Sequence, residues 1–522
     1  MFDLLIKNAI IVDGTGLMPY IGHIAIKDGI IAKIYRLNEN DYYNCKGEKC
    51  EKRVKAAKAE VLIEGAEIQA SKVLDACGKY VTPGFIDIHR HSDLKALEPD
   101  FGIIELRQGI TATVSGNCGM SAAPCTPEMS TILYDFLEPC LGRGSQDIAF
   151  ESYGEYISQL KKMSMRINHT FLIGNGTVRI AVKGFNPSPM AEKEMDKAKW
   201  YIEEALSAGA KGLSMGLMYA PENYYSFDEL VELAKVLRRY GGVLATHIRG
   251  EGNNLISSIN EVIKIAEKAQ VPLHISHLKA AGRNNWGEKL QIAMETILKW
   301  RAKGMDITCD VYPYEAGSTS LFTLLPPSIL EDGMEEMVKK LKDKDVRNWV
   351  KKELSLEHSD WDNLMYSLGW DSVVISSVNN EKNKLFIGKS IEEIAQNYGK
   401  DAVDCLLDLI VSENGKTGMV MFHMSPNDVR QVLKWENSII VSDSLYPGKG
   451  LPHPRLYGSF TRVLAKYVRD EKLLTIEEAV RKMTSFPAWR MSIEDKGLIK
   501  EGYHADMVLF DIENIEDTAT YI

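Results

Sequence analysis

From about residue 80 to about residue 450 the chain alternates short isoleucine- and valine-rich segments with longer helical patterns, and this restricts the fold more than any other feature. Parallel strands need a crossover helix between them, so the alternation is the signature of βαβ units. Eight β segments can be read: VTPGFIDIHRH, ITATVSGNC, HTFLIGNG, AKGLSMGL, GVLATHIR, PLHISHLK, MDITCDVYPY and SIIVSDS. Helical stretches such as PMAEKEMDKAKWYIEEALSAG and SFDELVELAKVLRRYG separate several of them. Eight β/α units in a row predict an α/β fold, a (β/α)8 TIM-like barrel.

The termini read differently. Residues 3–12 and 22–34 are β-rich with a KDG turn, and KGLIKEGYHADMVLFD near the C-terminus repeats the pattern of short strands with glycine turns. Both ends are therefore expected to form one small β-sandwich domain bracketing the barrel. From Tyr314 to Asp443 there are 128 intervening residues, too many for a structureless barrel connection. Patterns such as GMEEMVKKLKDK and SIEEIAQNYGKDAVDCLLDLIV predict a mostly helical insertion, which could act as a lid or serve as a plain structural addition. The expected organisation is 1–80 as the N-terminal part of the sandwich, 81–315 as barrel strands one to seven, and 316–425 as the insertion. Residues 426–490 then form the last barrel unit and 491–522 the C-terminal part of the sandwich.

Composition narrows the function classes. Hydrophobic residues make up 45% and charged residues 26%, enough apolar material for a large core. A net charge of −10 leaves no broad basic footprint for a phosphate backbone, so the expected partner is a small molecule rather than nucleic acid. The first residues read as a strand and not as a leader, and no apolar run is long enough for a membrane span, so no membrane partner is expected and a cytoplasmic location is. Eight cysteines are too sparse for a disulfide scaffold and are expected to be thiols, with Cys45 and Cys50 in a solvated lysine-rich loop.

The chemistry concentrates at predicted strand ends. In PGFIDIHRHSD, His89 and His91 lie two apart on a strand and project from one face, where two imidazoles can hold a divalent metal. An H-x-H alone is a weak signal. Cys118 in GNCG, His247 in ATHIR, His277 in ISHLK, Tyr312 in DVYPY and Asp443 in VSDS fall at the C-terminal ends of other strands, which is where barrel active sites lie. Lys279 and Arg249 follow His277 and His247 by two residues, so each shares a face with its histidine and could meet an anionic substrate group. His453, shortly after Asp443, is a candidate substrate contact, whereas His274 is expected to pack away from the site.

The motifs PGFIDIHRHSD, GNCGMSAAP, GNGTVR, GLSMGLMYAP, ATHIRGEG, ISHLKAAG, DVYPYEAGST, VSDS, HPRLYGSF and EGYHADMVLFD resemble, in order, those of the D-aminoacylase (N-acyl-D-amino-acid deacylase) branch of the amidohydrolase superfamily. The resemblance covers nearly the whole chain. It implies zinc-dependent hydrolysis of the amide of N-acyl-D-amino acids, giving a carboxylate and a free D-amino acid. It further implies that Cys118, His247 and His277 hold a tightly bound Zn2+, with His89 and His91 at a second, weaker site. Asp443 is then the catalytic acid/base, and Lys279 with Tyr312 meets the substrate carboxylate. Cyclic-amide hydrolysis of the dihydroorotase or hydantoinase kind, dipeptide cleavage, or a non-catalytic scaffold are the alternatives.

Three positions depart from the branch. Asn175 stands in GNGTVR where a histidine is frequent, Ser444 follows Asp443 where glycine is common, and Glu315 places an acid near the mouth. No arginine occurs between Arg301 and Arg347, so neutral or apolar substrate side chains are expected over D-glutamate or D-aspartate.

Overall fold

A computed structural model describes residues 1–37, 59–63, 66–142, 149–447 and 449–521. Cys45 and Cys50 lie outside the described residues. The chain divides into two compact units: residues 1–88, 104–113 and 460–518 form one, and residues 89–103, 114–459 and 519–522 the other.

The first unit carries a seven-stranded sheet whose main path runs Met507–Phe510, Tyr80–Pro83, Phe2–Ile11, Tyr20–Lys27 and Ile30–Arg36. Ala66–Asp75 pairs in parallel with the first strand and antiparallel with Ala59–Ile63. Its sequence pattern explains its layering. Strand side chains alternate in direction, and Ile6, Ile24 and Ile26 pack in one apolar cluster while Leu5 and Ala25 pack in another. The two termini do build one β unit: Met507 pairs with Pro83 and Phe510 with Tyr80 in antiparallel register. This unit also takes in residues 460–490.

In the second unit parallel strands close into a ring. Arg90 N–H donates to Val114 O and Leu172 N–H to Ser115 O. From Ile173–Gly174 the order is Gly212–Gly216, Val243–His247, Leu273–Ile275, Ile307–Val311 and Ser438–Ile440. The ring closes where Arg90 bridges Ser444 in parallel, with His91 N–H donating to Ser444 O at 2.9 Å. The fold is the expected barrel. Gly212–Gly216, Val243–His247 and Ile307–Val311 are buried at every residue, as strands covered on both faces must be. The helix Leu255–Ala269 buries Leu255, Ile259, Val262, Ile263 and Ala266, a stripe at three- and four-residue spacing. Ser226 starts Phe227–Ala234 with a capping box closed by Glu229.

The insertion contains the expected helices, including Gly333–Lys340, Lys344–Leu354, Ile391–Tyr398 and Ala402–Ser412. It also contains a three-stranded antiparallel sheet, in the order Ala316–Ser320, Gly418–Phe422, Val373–Ser377, which the helical patterns did not announce. The reason is compositional: AGSTS has no large apolar residue to mark it as a strand. No helix among the described residues is long and apolar enough to cross a membrane. Cys77 is disulfide-bonded, so the expectation of thiols throughout fails at that residue.

Candidate metal centre

At the C-terminal mouth of the ring, His89, His91, Cys118, His247, His277 and Asp443 form three overlapping triads whose ligand atoms lie within 4.8 Å of one another. Cys118 Sγ is 3.2 Å from His89 Nε2 and 3.5 Å from His277 Nε2. Asp443 Oδ1 is 3.2 Å from His91 Nε2 and 3.3 Å from His89 Nε2. All six side chains are buried. Three of these residues, Cys118, His277 and Asp443, hold φ values of 52°, 35° and 51°, a left-handed backbone that non-glycine residues seldom adopt. Such conformations cost free energy and persist only where the surroundings impose them.

The surroundings are visible. Asp310, on the strand Ile307–Val311 that leads into Tyr312, reaches His89 Nδ1 at 3.0 Å and His274 Nε2 at 2.9 Å, and its other oxygen accepts the backbone N–H of His277. Glu251 Oε1 lies 2.9 Å from His277 Nδ1 and accepts from Lys279 Nζ. These carboxylates fix the rings from behind, the usual way of orienting imidazole ligands. Gly119 follows Cys118 at φ +75°, and a Cβ there would lie 1.5 Å from Glu222 Oε1. Glu222 in turn accepts from Gly216 N–H and Asn175 Nδ2, bracing three loop starts at once.

The donor set fits a divalent metal. Neither ring nitrogen of buried His247 has a hydrogen-bond partner, nor does His91 Nδ1, and such orphaned nitrogens are what an ion would satisfy. Lys279 and Arg455 line the same pocket as Cys118, Glu251 and Asp443. Burial alone would push the Cys118 thiol up, yet the charge of His89 and the nearby His247 and His277 hold it well below its usual value, so sulfur is poised as thiolate. Thiolate and imidazole together suit a borderline-soft ion.

Residues 442–520 match the amidohydrolase family model. Over 453 residues the chain is 33% identical to an N-acyl-D-glutamate deacylase of Alcaligenes xylosoxydans xylosoxydans, covering 87% of this chain and 81% of the relative. It belongs to the D-aminoacylase family of amidohydrolases. An N-acyl-D-glutamate deacylase from Bordetella bronchiseptica, solved with zinc and a phosphonate inhibitor, superposes with a TM-score of 0.79 at 28% identity, covering 100% of this chain and 92% of that one. A D-aminoacylase described as having a binuclear metal centre gives 0.78 at 27% identity with the same coverage.

Within this amidohydrolase the remaining sequence candidates separate. Lys279 and Tyr312 line the pocket that opens onto the metal cluster. Arg249 does not: its guanidinium donates to both Glu261 oxygens at 3.0–3.2 Å and to Asn223 O, and it lines a neighbouring cleft of about 470 Å³. Although Arg249 is two residues beyond His247, it follows the end of strand Val243–His247, so the shared-face argument does not reach it. His453 also stays out of the pocket lining; its Nδ1 accepts the Arg455 N–H and its Nε2 lies 2.9 Å from Ala316 O. His274, expected to pack away from the site, is not among the clustered ligands but bonds Thr308 and the Asp310 carboxylate that also holds His89.

Sequence reasoning missed Arg455 and His423, which both line the pocket. Arg455 is 2% exposed, donates Nη1–H to Asp443 Oδ2 at 2.7 Å, and stacks 4.9 Å over the Tyr312 ring. It lies within HPRLYGSF, two residues beyond His453, and a cation so close in sequence to the predicted catalytic aspartate is the signal that marks it. Glu251, in ATHIRGEG, was available in the same way, four residues from His247.

Proposed function

We propose that this amidohydrolase hydrolyses N-acyl-D-amino acids with apolar side chains, with zinc at Cys118, His247 and His277 and a second, weaker site at His89 and His91. The observation that carries the reading is the arrangement of Asp443, shared between the histidine cluster and Arg455, beside a second buried cation, Lys279. A free substrate carboxylate needs fixed cationic donors, and cleavage of the amide needs an acid/base next to the metal.

Zinc held there supplies Lewis-acid polarisation of the amide carbonyl and brings the pKa of water from about 15.7 to about 7. Burial would push the Asp443 carboxyl up, but Arg455 and His89 hold it well below the usual carboxylate range, so it starts ionised. Its Oδ1, on the histidine side, takes the proton from the attacking water and passes it to the amide nitrogen as the C–N bond breaks. The products are a carboxylate and a free amine. Arg455 keeps Oδ2 fixed throughout, and Lys279, 5.8 Å over the Tyr312 ring, holds the substrate carboxylate with Tyr312 beside it.

The side-chain preference follows from the rest of the lining. Met120, Met218, Met421, Leu364 and Leu445 present thioether and alkyl surface, and the two cations there are already engaged by Glu251 and Asp443. A second substrate carboxylate would be desolvated against apolar walls at a cost of several kcal/mol per ion, on the order given for unpaired buried charge. The relative at 33% identity is named for D-glutamate, which makes the preference a sharp test. Amine release from N-acetyl-D-methionine well above that from N-acetyl-D-glutamate is expected; the reverse order would overturn the side-chain assignment.

A further inference from the structure

His423 belongs to the insertion, one residue beyond the strand Gly418–Phe422, and it is 5% exposed with both ring nitrogens lacking a hydrogen-bond partner. A buried imidazole left with neither donor nor acceptor satisfied is costly. The ring does not sit in a sealed core: it lines the same pocket as the metal cluster, Lys279 and Arg455. Its main chain is anchored, since His423 O accepts Gly282 N–H at 2.9 Å and Trp286 Nε1–H at 3.0 Å. The side chain is thus held at the pocket wall with its hydrogen-bonding capacity unspent.

What it faces identifies the ligand group. A Cβ built on Gly317 would lie 2.9 Å from His423 Cε1, 3.1 Å from His423 Nε2 and 3.1 Å from Tyr312 Oη, so the imidazole and the phenol converge on one point that only glycine leaves open. Lys279 and Arg455 flank the same Tyr312 ring at 5.8 and 4.9 Å. Every one of these groups can donate a hydrogen bond, and two carry a permanent positive charge. Burial, together with the nearby Lys279, brings the His423 pKa down to about 3, so the ring is neutral in working conditions and keeps one N–H to donate.

We infer that His423 binds the free carboxylate of the substrate, donating a ring N–H to it in a corner shared with Lys279, Arg455 and Tyr312. This rests on the acyl-amino-acid reading above and assigns the insertion a part in recognition. The corner selects acyl amino acids over acyl amines by meeting the one group that the latter lack.

The test uses the metal-loaded full chain and two ligands, N-acetyl-D-methionine and N-acetyl-D-methioninamide, in which the carboxylate is replaced by a neutral amide. A hydrogen bond to a charged group contributes about 1.5–3 kcal/mol, which is about 10- to 150-fold in affinity. His423→Ala is expected to raise KM for the carboxylate substrate by that factor, with a much smaller effect on the amide, and His423→Gln to recover part of the loss through its side-chain N–H. Equal losses on both ligands together with a lowered Tm would assign His423 a structural role and overturn the inference, as would an unchanged KM. Calorimetric Kd values for the product D-methionine and for D-methioninamide give the same contrast without turnover. If wild-type protein releases no amine from N-acetyl-D-methionine, the activity reading fails while these Kd values still decide His423: selective weakening of D-methionine supports the carboxylate contact, and none overturns it.

Discussion

The pocket has two sources, the ends of barrel strands on the one hand and the insertion with the segment after Asp443 on the other, and they differ in how their polar groups are engaged. At the strand ends several of the clustered residues are tied from behind: Asp310 holds His89, Glu251 holds His277, and Glu222 braces the loop that carries Cys118, while neither ring nitrogen of His247 has a hydrogen-bond partner. Backbone register sets these positions, with Met215 beside Thr246 and Gly216 beside His247 on parallel strands. In the other source, His423 of the insertion has no bonded partner for its ring, and Arg455 comes from the segment after the last barrel strand, reaching back to Asp443. The rigid half is suited to chemistry that any N-acyl substrate shares. The other half is suited to choosing among substrates, which is the division of labour expected when loops sit on a barrel.

Substitutions can break this division. The largest effect is expected in the rigid half: Asp443→Ala should lower kcat by at least about 10²- to 10⁴-fold, the usual worth of a general acid/base, while bound metal measured by elemental analysis stays. Cys118→Ala should lose the tight metal altogether, and full metal occupancy in that variant would contradict the ligand set. Next comes the cation that joins the two halves. Arg455→Ala leaves buried Asp443 without its permanent cation and with only His89 and His91 beside it, a loss of up to about 3–5 kcal/mol, so both Tm and kcat/KM should fall. If only KM rises, Arg455 belongs wholly to substrate choice.

A third test concerns the brace. Burial raises the Glu222 carboxyl from 4.5 to about 7, against hydrogen bonds from Asn175 and Gly216 that lower it. A carboxyl with a raised folded pKa contributes stability below its unfolded pKa that is lost as pH rises through the folded one. Between pH 4.5 and about 7, wild-type Tm should therefore carry a downward component that Glu222→Gln removes. The smallest effect is expected for Arg249→Ala, whose ion pair with Glu261 is partly exposed and worth about 0–1 kcal/mol. A large loss of activity in that variant would pull the neighbouring cleft into the site.

The same division explains what the sequence revealed. Barrel strands and their terminal His, Cys and Asp residues were legible because β periodicity and crossover helices leave a regular pattern, and a ligand at a strand end inherits a predictable direction. Arg249 shows the limit: counting by twos fails once the chain leaves the strand. His423 and Arg455 carry no periodic signal, because their place depends on a folded insertion and on a loop returning over the mouth. The three-stranded sheet of the insertion was hidden for a related reason, since AGSTS and VVISS are short and partly polar. Asp310 and Glu251 lay inside recognisable motifs, but their work behind the histidines appears only when strands distant in sequence stand side by side.

The most direct measurement is amine release from matched N-acetyl-D- and N-acetyl-L-methionine, with N-acetyl-D-glutamate and dihydroorotate alongside, before chelation, after chelation, and after zinc is restored. The account predicts release from N-acetyl-D-methionine above all others, lost with the metal and recovered with zinc. Activity that survives complete metal removal, or that is confined to the cyclic amide, would contradict it.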